Sequence, residues 1–301
     1  MKSKTVIVIA GPTAVGKTSL AIDLAKHFHT QIISADSRQC FRELNVGVAK
    51  PTEDQLHQVK HYFINSHSIH EELNAAIFEQ YALQSVESIF MHHDVAVMVG
   101  GTGLYIQAFC EGLDQIPQIS PGIREKIKAN YERAGLGWLQ EQVRSKDPEY
   151  FETGEIENPQ RLMRALEVVS ETGKSIRQFQ RNKKATRSFS IIKIGLQLSK
   201  EQLHSNIHHR VDEMMRNGLL AEVESLVPFQ SLPALRTVGY TELFSYLEGK
   251  MPLEAAVELI KANTRQYAKR QLTWFRKDAL ITWIAPDERQ RIIDLYQERK
   301  K

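Results

Sequence analysis

The chain has 301 residues, of which 42% are hydrophobic and 25% charged, and its net charge is +3. This composition is typical of a soluble globular protein with one large domain or two ordinary ones, and it excludes a chain that is disordered throughout. Its apolar runs are strand-sized, well short of the ~20 residues that a spanning helix needs, and the N-terminal run is too short for a signal peptide. We therefore expect no membrane segment and a cytoplasmic location; with only two cysteines, we expect no cysteine-based zinc site.

The first part of the chain alternates short apolar segments with amphipathic ones. The short segments are rich in β-branched residues and predict buried strands, whereas the longer ones have helical periodicity. Strands that alternate with helices favour a parallel sheet covered on both faces, and hence an α/β fold. The predicted strands are Thr5 to Ala10, Gln31 to Ala35 and Val95 to Val99, and the predicted helices are Thr18 to Phe28 and Ala75 to Phe90.

The pattern changes near Pro117. From residue 121 to about residue 184 the periodicity is helical only, with Asn158 and Pro159 predicting a helix start and Gly173 its end. We therefore expect an all-helical domain, residues 117–187, inserted into an α/β core formed by residues 1–116 and 188–301. The remaining elements that we predict are a strand at Ser188 to Leu198, helices at Lys200 to Val227 and Leu253 to Arg276, and a strand at Ala279 to Ile284.

The loop after the first strand has the spacing Gly-x-x-x-x-Gly-Lys-Thr. Its glycines allow backbone N–H groups to turn inward around phosphate oxygens, Lys17 adds a positive charge, and Thr18 supplies a hydroxyl for Mg²⁺. Because the loop follows a strand and precedes a helix, we predict a P-loop NTPase-like core and a substrate that carries a diphosphate or triphosphate. The loop consists of Gly11, Pro12, Thr13, Ala14, Val15, Gly16, Lys17 and Thr18.

A P-loop usually indicates nucleotide hydrolysis or phosphoryl transfer, in which an acid at the end of another strand helps to hold Mg²⁺. Here the strand that ends at Val99 is followed by Gly-Gly-Thr-Gly, without a carboxylate. Asp36 follows the second strand instead, where it should lie near the phosphate site and can accept a proton from a nucleophile. A helix cap and an indirect contact to Mg²⁺ through a bound water are the alternative roles for Asp36. Gln39 can read an adenine edge and Arg38 can hold a phosphate, or both can be surface residues.

Two segments of the chain are strongly basic, whereas the rest carries a net negative charge. Residues 160–187 hold eight Lys or Arg and two Glu, and residues 261–277 hold six Lys or Arg and no acid. Such blocks indicate an extended anionic partner such as RNA, although solvated helix faces have the same composition.

In combination, the motifs of this chain resemble those of the tRNA dimethylallyltransferase family. They occur in family order across nearly the whole chain, and together they are far more specific than the P-loop alone. The matching segments are GPTAVGKT (Gly11 to Thr18), SADSRQ (Ser34 to Gln39), VGVAKP (Val46 to Pro51), VGGTGLY (Val99 to Tyr105), NPQRLMRALEV (Asn158 to Val168), RVDEMMRNGLLAEV (Arg210 to Val223), VGYTEL (Val238 to Leu243) and TRQYAKRQLTWFR (Thr264 to Arg276).

The resemblance implies transfer of a dimethylallyl group from its diphosphate to N6 of the adenosine 3′ of the tRNA anticodon, with release of diphosphate. It implies Mg²⁺ as cofactor and the tRNA anticodon stem-loop as partner, and we expect a monomer. Asp36 is then the base, Thr102 helps to position it, and Lys17 and Arg210 stabilise the leaving group, while Thr18 ligates Mg²⁺. The resemblance also implies that a set of residues contacts tRNA: Asp36, Ser37, Arg38, Gln39, Thr102, Arg124, Gln160, Arg161, Leu162, Met163 and Arg164.

The chain departs from the family pattern at a few positions. Val48 stands where Thr is frequent, Phe41 replaces a common Tyr, Lys60 a Pro, and Asn158 a frequent Asp. None of these positions is a predicted catalytic residue, so we expect them to alter local contacts and not the reaction.

Other interpretations of the chain remain open from its residues. A small-molecule or nucleotide kinase would bind ATP on the P-loop, an adenylate prenyltransferase would act on free nucleotide, and a non-catalytic RNA-binding protein would not need Asp36. His57 and His61 have helical spacing but no metal motif around them, and nothing marks Cys40 as a nucleophile. Trp274 and Phe275 are expected in the core, with stacking on RNA as the alternative.

Overall fold

The computed structural model describes residues 4–180 and 184–300, so three positions of the first basic block, residues 181–183, lie outside the described residues. The chain forms two compact units. Met1–Glu111 together with Thr186–Lys301 make up one, which we call the core unit, and Gly112–Ala185 make up the other, the helical unit.

The core unit contains a six-stranded sheet in the order β3-β2-β4-β1-β5-β6, in which every neighbouring pair is parallel. The predicted α/β class and all five predicted strands are confirmed. The sixth strand, β3, has only two residues and was missed because so short a segment shows no periodicity. The strands are β1 (Thr5–Ala10), β2 (Ile32–Ala35), β3 (His61–Tyr62), β4 (Val95–Gly100), β5 (Ser190–Leu196) and β6 (Thr282–Ile284).

The sheet is buried on both faces because its strands alternate between two apolar clusters. On β1, Val6 and Val8 belong to one cluster, and Ile7 and Ile9 to the other. All four side chains are at most 1% exposed, and burial of each contributes roughly 1.5–3 kcal/mol. The helices of the core unit are α1 (Lys17–His27), α2 (Glu53–Gln58), α3 (Ala75–Phe90), α4 (Gly103–Glu111), α8 (Lys200–Arg216), α9 (Leu219–Ser225), α10 (Tyr240–Leu247), α11 (Leu253–Phe275) and α12 (Arg289–Glu298).

One predicted helix is divided in two. The prediction ran from Lys200 to Val227, but α8 ends at Arg216 and α9 begins at Leu219. Gly218 has φ 92°, a left-handed conformation that an α-helix excludes and that glycine adopts without a Cβ clash. Apolar periodicity continues across the break, and for this reason the sequence pattern did not reveal it.

The helical unit has its own apolar core, formed by residues that include Leu139, Val143 and Leu166. Asn158 caps the helix Pro159–Thr172 (α7) as predicted, because its Oδ1 accepts hydrogen bonds from the N–H groups of Gln160 and Arg161. Between residues 112 and 180, the described part of the unit contains helices and no strand, which agrees with the prediction. Its helices are α5 (Pro121–Lys146, interrupted at Gly135), α6 (Pro148–Thr153) and α7 (Pro159–Thr172).

No helix within residues 4–180 and 184–300 combines the length and apolar character needed to cross a membrane.

Candidate active site

Strand register places three functional loops at one edge of the sheet. Ala10 of β1 pairs with Gly100 of β4, and Gly100 pairs with Ala35 of β2, so the three strands end level with one another. The P-loop, the segment that begins with Asp36, and the Gly101–Thr102 turn therefore start side by side. The close packing requires glycine, because a Cβ on Gly100 would lie 2.1 Å from the carbonyl oxygen of Ala35.

The P-loop conformation depends on three left-handed or related backbone positions. Gly11 and Gly16 have φ of 149° and 95°, which glycine adopts readily. Ala14 has φ 62°, and a non-glycine residue in this region carries strain of about 1 kcal/mol or more. Lys17 is the first residue of α1, and its Nζ donates a hydrogen bond to the Pro12 carbonyl at 2.6 Å. The ammonium group is thus held against the loop that would surround a phosphate.

Burial and, to a lesser extent, the nearby Arg210 guanidinium lower the pKa of Lys17 to about 7, although the Asp36 carboxylate acts in the opposite direction. Burial also lowers the pKa of Arg210, whose Nη1 donates to Thr13 Oγ1 at 3.1 Å. Two cationic side chains are thus kept together in a poorly hydrated site. Such a site favours an anionic ligand that neutralises both of them.

Gln271 of α11 connects the P-loop to the loop after β4. Its Oε1 accepts a hydrogen bond from Thr13 N at 2.8 Å, and its Nε2 donates to the Gly101 carbonyl at 2.9 Å. No role was predicted for Gln271 from the sequence. The signal that would have found it is its position in the family-matching segment Thr264 to Arg276, where a polar residue lies amid an otherwise apolar helix face.

Asp36 begins a tight turn. Its Oδ1 accepts hydrogen bonds from the N–H groups of Arg38 at 2.9 Å and Gln39 at 3.3 Å, so one oxygen stabilises the turn of residues 37–40. No helix begins at this turn, so the alternative role of Asp36 as a helix cap is wrong. Thr102 contacts the neighbouring residue instead: Ser37 N donates to Thr102 Oγ1 at 3.1 Å, and the two hydroxyls lie 3.4 Å apart. Thr102 therefore contacts the turn at Ser37, the residue next to Asp36, and its role in positioning Asp36 stays a prediction.

The side chain of Gln39 is engaged within the protein. Its Nε2 donates to the carbonyls of Val48 at 3.2 Å and Ala49 at 3.0 Å, and its Oε1 accepts from Ser34 Oγ at 3.4 Å. In this conformation the amide supports the wall of the cavity and is not free to read an adenine edge. Arg38 lines the smaller cavity described next.

Two adjoining cavities occupy this edge of the sheet. The larger, of about 230 Å³, is lined by most of the P-loop and also by Asp36, Arg210 and Gln271. The smaller, of about 120 Å³, is mostly apolar and includes Val211 and Met214 in its wall. Residues that line both are Thr13, Asp36, Val48, Arg210 and Tyr267. A polar cavity beside an apolar one fits a ligand with a charged head and a short hydrocarbon tail.

The donor set at the P-loop fits Mg²⁺. Thr18 lies in the first turn of α1 and lines the larger cavity with a hard oxygen donor. In the part of the chain that the structure describes, no three His, Cys, Asp or Glu side chains form a metal cluster. Mg²⁺ needs no such cage, because it commonly binds one or two protein oxygens and completes its shell with water and substrate phosphates.

The helical unit carries most of the predicted tRNA-contacting residues. Arg124 and Arg164 both approach Glu167, with nitrogen–oxygen distances of 4.0 and 3.2 Å, so they lie on one surface. Arg161 pairs with Glu155 at 2.5 Å. Leu162, by contrast, is fully buried, so its side chain supports α7 from within the unit and presents no surface to RNA. Gln160 is exposed, whereas Met163 packs partly against the core of the unit.

In the second basic block, residues 261–277, some of the cationic side chains are engaged by other residues of the protein. Lys261 binds Asp212 at 2.8 Å and Glu258 at 2.9 Å, and Arg265 contacts His208. Lys261, Arg265 and Lys269 lie four residues apart along α11, and the first two are thus already engaged within the core unit. Lys269 is the exposed member of the set.

The structure also places the cysteine, histidine and aromatic residues for which the sequence favoured no functional role. Burial raises the pKa of the Cys40 thiol to about 12, which makes it a poor nucleophile. His57 lies in α2 and His61 in β3, so their helical spacing does not place them on one helix. Phe275 is buried as expected; Trp274 is 37% exposed and not in the core, and its ring packs where a Cβ on Gly103 would be.

The amino-acid sequence of this chain matches those of known proteins from one family. A sequence profile described as IPP transferase matches residues 39–278. A tRNA dimethylallyltransferase from Christiangramia forsetii is 49% identical to this chain, with 99% of each chain covered, and one from Cytophaga hutchinsonii is 44% identical over 95% of this chain and 94% of its own length. The chain belongs to the tRNA dimethylallyltransferase family.

Solved structures of tRNA dimethylallyltransferases and related enzymes have the same fold. The full-length tRNA isopentenylpyrophosphate transferase from Bacillus halodurans is 31% identical, with a TM-score of 0.72 and coverage of 99% of this chain and 97% of the other. A eukaryotic dimethylallyltransferase acting on tRNA is 27% identical, with a TM-score of 0.75, over 91% of this chain and 70% of its own length. The predicted P-loop NTPase-like core is thereby confirmed.

The departures from the dimethylallyltransferase pattern lie at different places in the structure, and of the four only Val48 lines the two cavities. Val48 lines both cavities, so an apolar side chain replaces a hydroxyl there. Phe41 is buried, and its carbonyl accepts a hydrogen bond from Lys50 Nζ. Lys60 lies over the Tyr62 ring at 4.5 Å. None of them contacts Lys17 or Asp36 through a hydrogen bond within the described residues.

We expect dimethylallyl diphosphate, the ligand that the family resemblance implies, to take up nearly one proton per molecule when it binds at about pH 8. Lys17, with a pKa of about 7, is largely neutral there, and the bound anion raises that pKa and recharges the amine. Affinity should consequently fall as the pH rises above 7. Calorimetry in two buffers of different ionisation enthalpy measures the uptake, and Lys17→Met should abolish it. If the wild-type protein takes up no proton, Lys17 does not change its protonation state on binding, and the prediction is wrong.

Proposed function

We propose that this protein transfers a dimethylallyl group from dimethylallyl diphosphate to N6 of the adenosine 3′ of the anticodon, in tRNAs that read codons beginning with U. The observation that carries the proposal is one cavity in which a P-loop, two desolvated cations and the Asp36 carboxylate meet. The family membership supports the same reaction. A cytoplasmic location, a monomeric state and the anticodon stem-loop as binding partner belong to the proposal.

The cations would act on the leaving group. As the C1–O bond of dimethylallyl diphosphate breaks, negative charge accumulates on the departing diphosphate. Lys17 and Arg210, together with the N–H groups of the P-loop, are fixed beside that charge before the reaction begins. Fixed donors need no reorganisation during the reaction, so they lower the barrier more than mobile solvent does.

Asp36 would act on the nucleophile. The N6 lone pair forms the new bond to C1, and the amino proton must leave N6 as the bond forms. One Asp36 oxygen is held by the N–H groups of Arg38 and Gln39, which fixes the carboxylate in the wall of the cavity. The carboxylate then receives the proton. The adenine must be unstacked from the tRNA to reach this position.

The apolar part of the site would hold the five-carbon tail. Val48 and Tyr267 line both cavities, and Val211 and Met214 extend the apolar wall of the smaller one. A tail placed there leaves C1 between the P-loop and Asp36. Closure of this wall around the tail also excludes water, which would otherwise compete with N6 for the prenyl group.

Thr18 would hold Mg²⁺ through its hydroxyl, with the remaining ligands from diphosphate and water. When bound, the ion supplies positive charge to the diphosphate oxygens.

A kinase is the main competing function, because the P-loop also suits ATP. The absence of a carboxylate after Val99 disfavours it. The test is incubation of the protein with labelled dimethylallyl diphosphate, Mg²⁺ and unmodified tRNA that reads codons beginning with U. We expect label in the RNA, release of diphosphate and no consumption of ATP. ADP formation without labelled RNA would overturn the proposal in favour of a kinase.

The arginines of the helical unit would bind tRNA phosphates, and their removal should reduce the salt dependence of binding. We expect Arg124→Gln/Arg164→Gln to lower the slope of log affinity against log salt by about one for each phosphate that is no longer neutralised by an arginine. Arg133→Gln is the matched control, since Arg133 lies in α5 and bonds only to Asn130 among the described residues. Equal slopes for the double variant and the wild-type protein would exclude this surface from tRNA binding.

A further inference from the structure

Three family-matching segments contain residues that the chemistry above does not use. They are Val46 to Pro51, Arg210 to Val223 and Val238 to Leu243. In the structure, one residue from the second and one from the third meet the first segment. We infer that Glu222 and Tyr240 are positioning residues that fix the loop of residues 45–49 as the wall of the prenyl-binding cavity, an inference that rests on the proposed function.

The Glu222 carboxylate accepts four hydrogen bonds. Its Oε2 accepts from the N–H groups of Asn45 at 3.0 Å and Val46 at 2.7 Å. Its Oε1 accepts from Gly47 N at 3.1 Å and from the Tyr240 hydroxyl at 2.5 Å. Three consecutive backbone N–H groups that converge on one carboxylate define the path of the loop closely, and bonds to a charged acceptor are stronger than bonds to a neutral one.

Tyr240 fixes the same loop by packing. It is fully buried, and its ring lies against Gly47 so closely that a Cβ there would be 2.6 Å from the ring. The loop can therefore approach the ring only because residue 47 is glycine. The hydroxyl of Tyr240 and the N–H of Gly47 share one oxygen of Glu222, so ring, loop and carboxylate form one unit.

The far end of the loop is held from the other side. Gln39 donates to the carbonyls of Val48 and Ala49, and Lys50 Nζ donates to the Phe41 carbonyl at 2.6 Å. Ala49 has φ 46°, a left-handed conformation that persists in a non-glycine residue only where its surroundings impose it. The loop is thus fixed at both ends in one conformation.

The fixed loop faces the substrate. Val48 lines both cavities, and Gly47 and Ala49 line the smaller, apolar one. None of these three residues belongs to the P-loop, which holds the phosphates through residues 11–18. Glu222 and Tyr240 line neither cavity. Displacement of the loop should therefore weaken the binding of the hydrocarbon tail and leave the binding of the diphosphate unchanged.

The test compares two ligands that share the diphosphate and differ in the tail, measured by calorimetry on the full-length protein with Mg²⁺. For Glu222→Gln and for Tyr240→Phe we expect the Kd for dimethylallyl diphosphate to rise by roughly tenfold, the scale of removing one hydrogen bond to a charged group. The Kd for inorganic pyrophosphate should stay within about twofold. In turnover, KM for dimethylallyl diphosphate should rise more than kcat falls.

Glu43→Gln is the matched control. Glu43 also uses its carboxylate to hold a loop, accepting from Ser68 Oγ at 2.6 Å and Ile69 N at 3.1 Å, but neither of these residues lines a cavity. We expect it to bind both ligands as the wild-type protein does. Equal losses for both ligands in Glu222→Gln, or no loss for either, would overturn the inference. If the wild-type protein binds pyrophosphate but not dimethylallyl diphosphate, the proposed function fails, and the positioning role assigned to Glu222 falls with it.

Discussion

Replacement of Asp36 by Asn is expected to lower the rate of prenyl transfer by about 10²-fold or more, the usual scale for loss of a general base. The amide keeps an oxygen where the N–H groups of Arg38 and Gln39 require an acceptor, so the turn should persist. What Asn lacks is the basicity to take the proton from N6. Single-turnover transfer to tRNA measures the effect, and tRNA affinity should be unchanged.

Asp36→Ala separates the two roles of this carboxylate. It removes both the base and the acceptor of the turn, so we expect the same loss of rate together with a lower melting temperature. If the Asn variant transferred the prenyl group at the wild-type rate, Asp36 would serve only to hold the turn, and another group would have to take the proton.

Arg210→Gln is the second change with a large expected effect, about 10²- to 10³-fold in transfer rate. The guanidinium is partly buried beside the P-loop, 3.1 Å from Thr13 Oγ1, where charge would develop on the departing diphosphate. Because Arg210 also lowers the pKa of Lys17, its removal should raise that pKa. Proton uptake on binding of dimethylallyl diphosphate at about pH 8 should consequently decrease.

The matched control for Arg210 is Arg216→Gln on the same helix. Arg216 is exposed, and its Nε donates to the Asp212 carbonyl at 3.3 Å, away from either cavity. Its replacement should leave transfer and proton uptake unchanged. A comparable loss of rate in both variants would mean that α8 contributes through its stability and that Arg210 has no direct effect on the leaving group.

The sequence by itself determined the elements whose signal is local. Strands such as β1 and β4 are short buried runs rich in β-branched residues, and the cap of α7 depends on Asn158 and its next three residues. The P-loop is also local, because eight consecutive residues carry its glycines, lysine and threonine. The position of Asp36 after a strand sufficed to predict that it would lie near the P-loop, with which it lines one cavity.

The tertiary structure alone decided which distant residues complete the site. Gln271 lies 258 positions from Thr13 and bridges it to the loop after β4, and Glu222 reaches Gly47 across 175 positions. It also decided that the Gln39 amide bonds to carbonyls of the protein and that Leu162 is buried. The physical reason is that hydrogen-bond partners and burial depend on how elements pack, whereas periodicity and turn chemistry report only on a residue and its near neighbours in the chain.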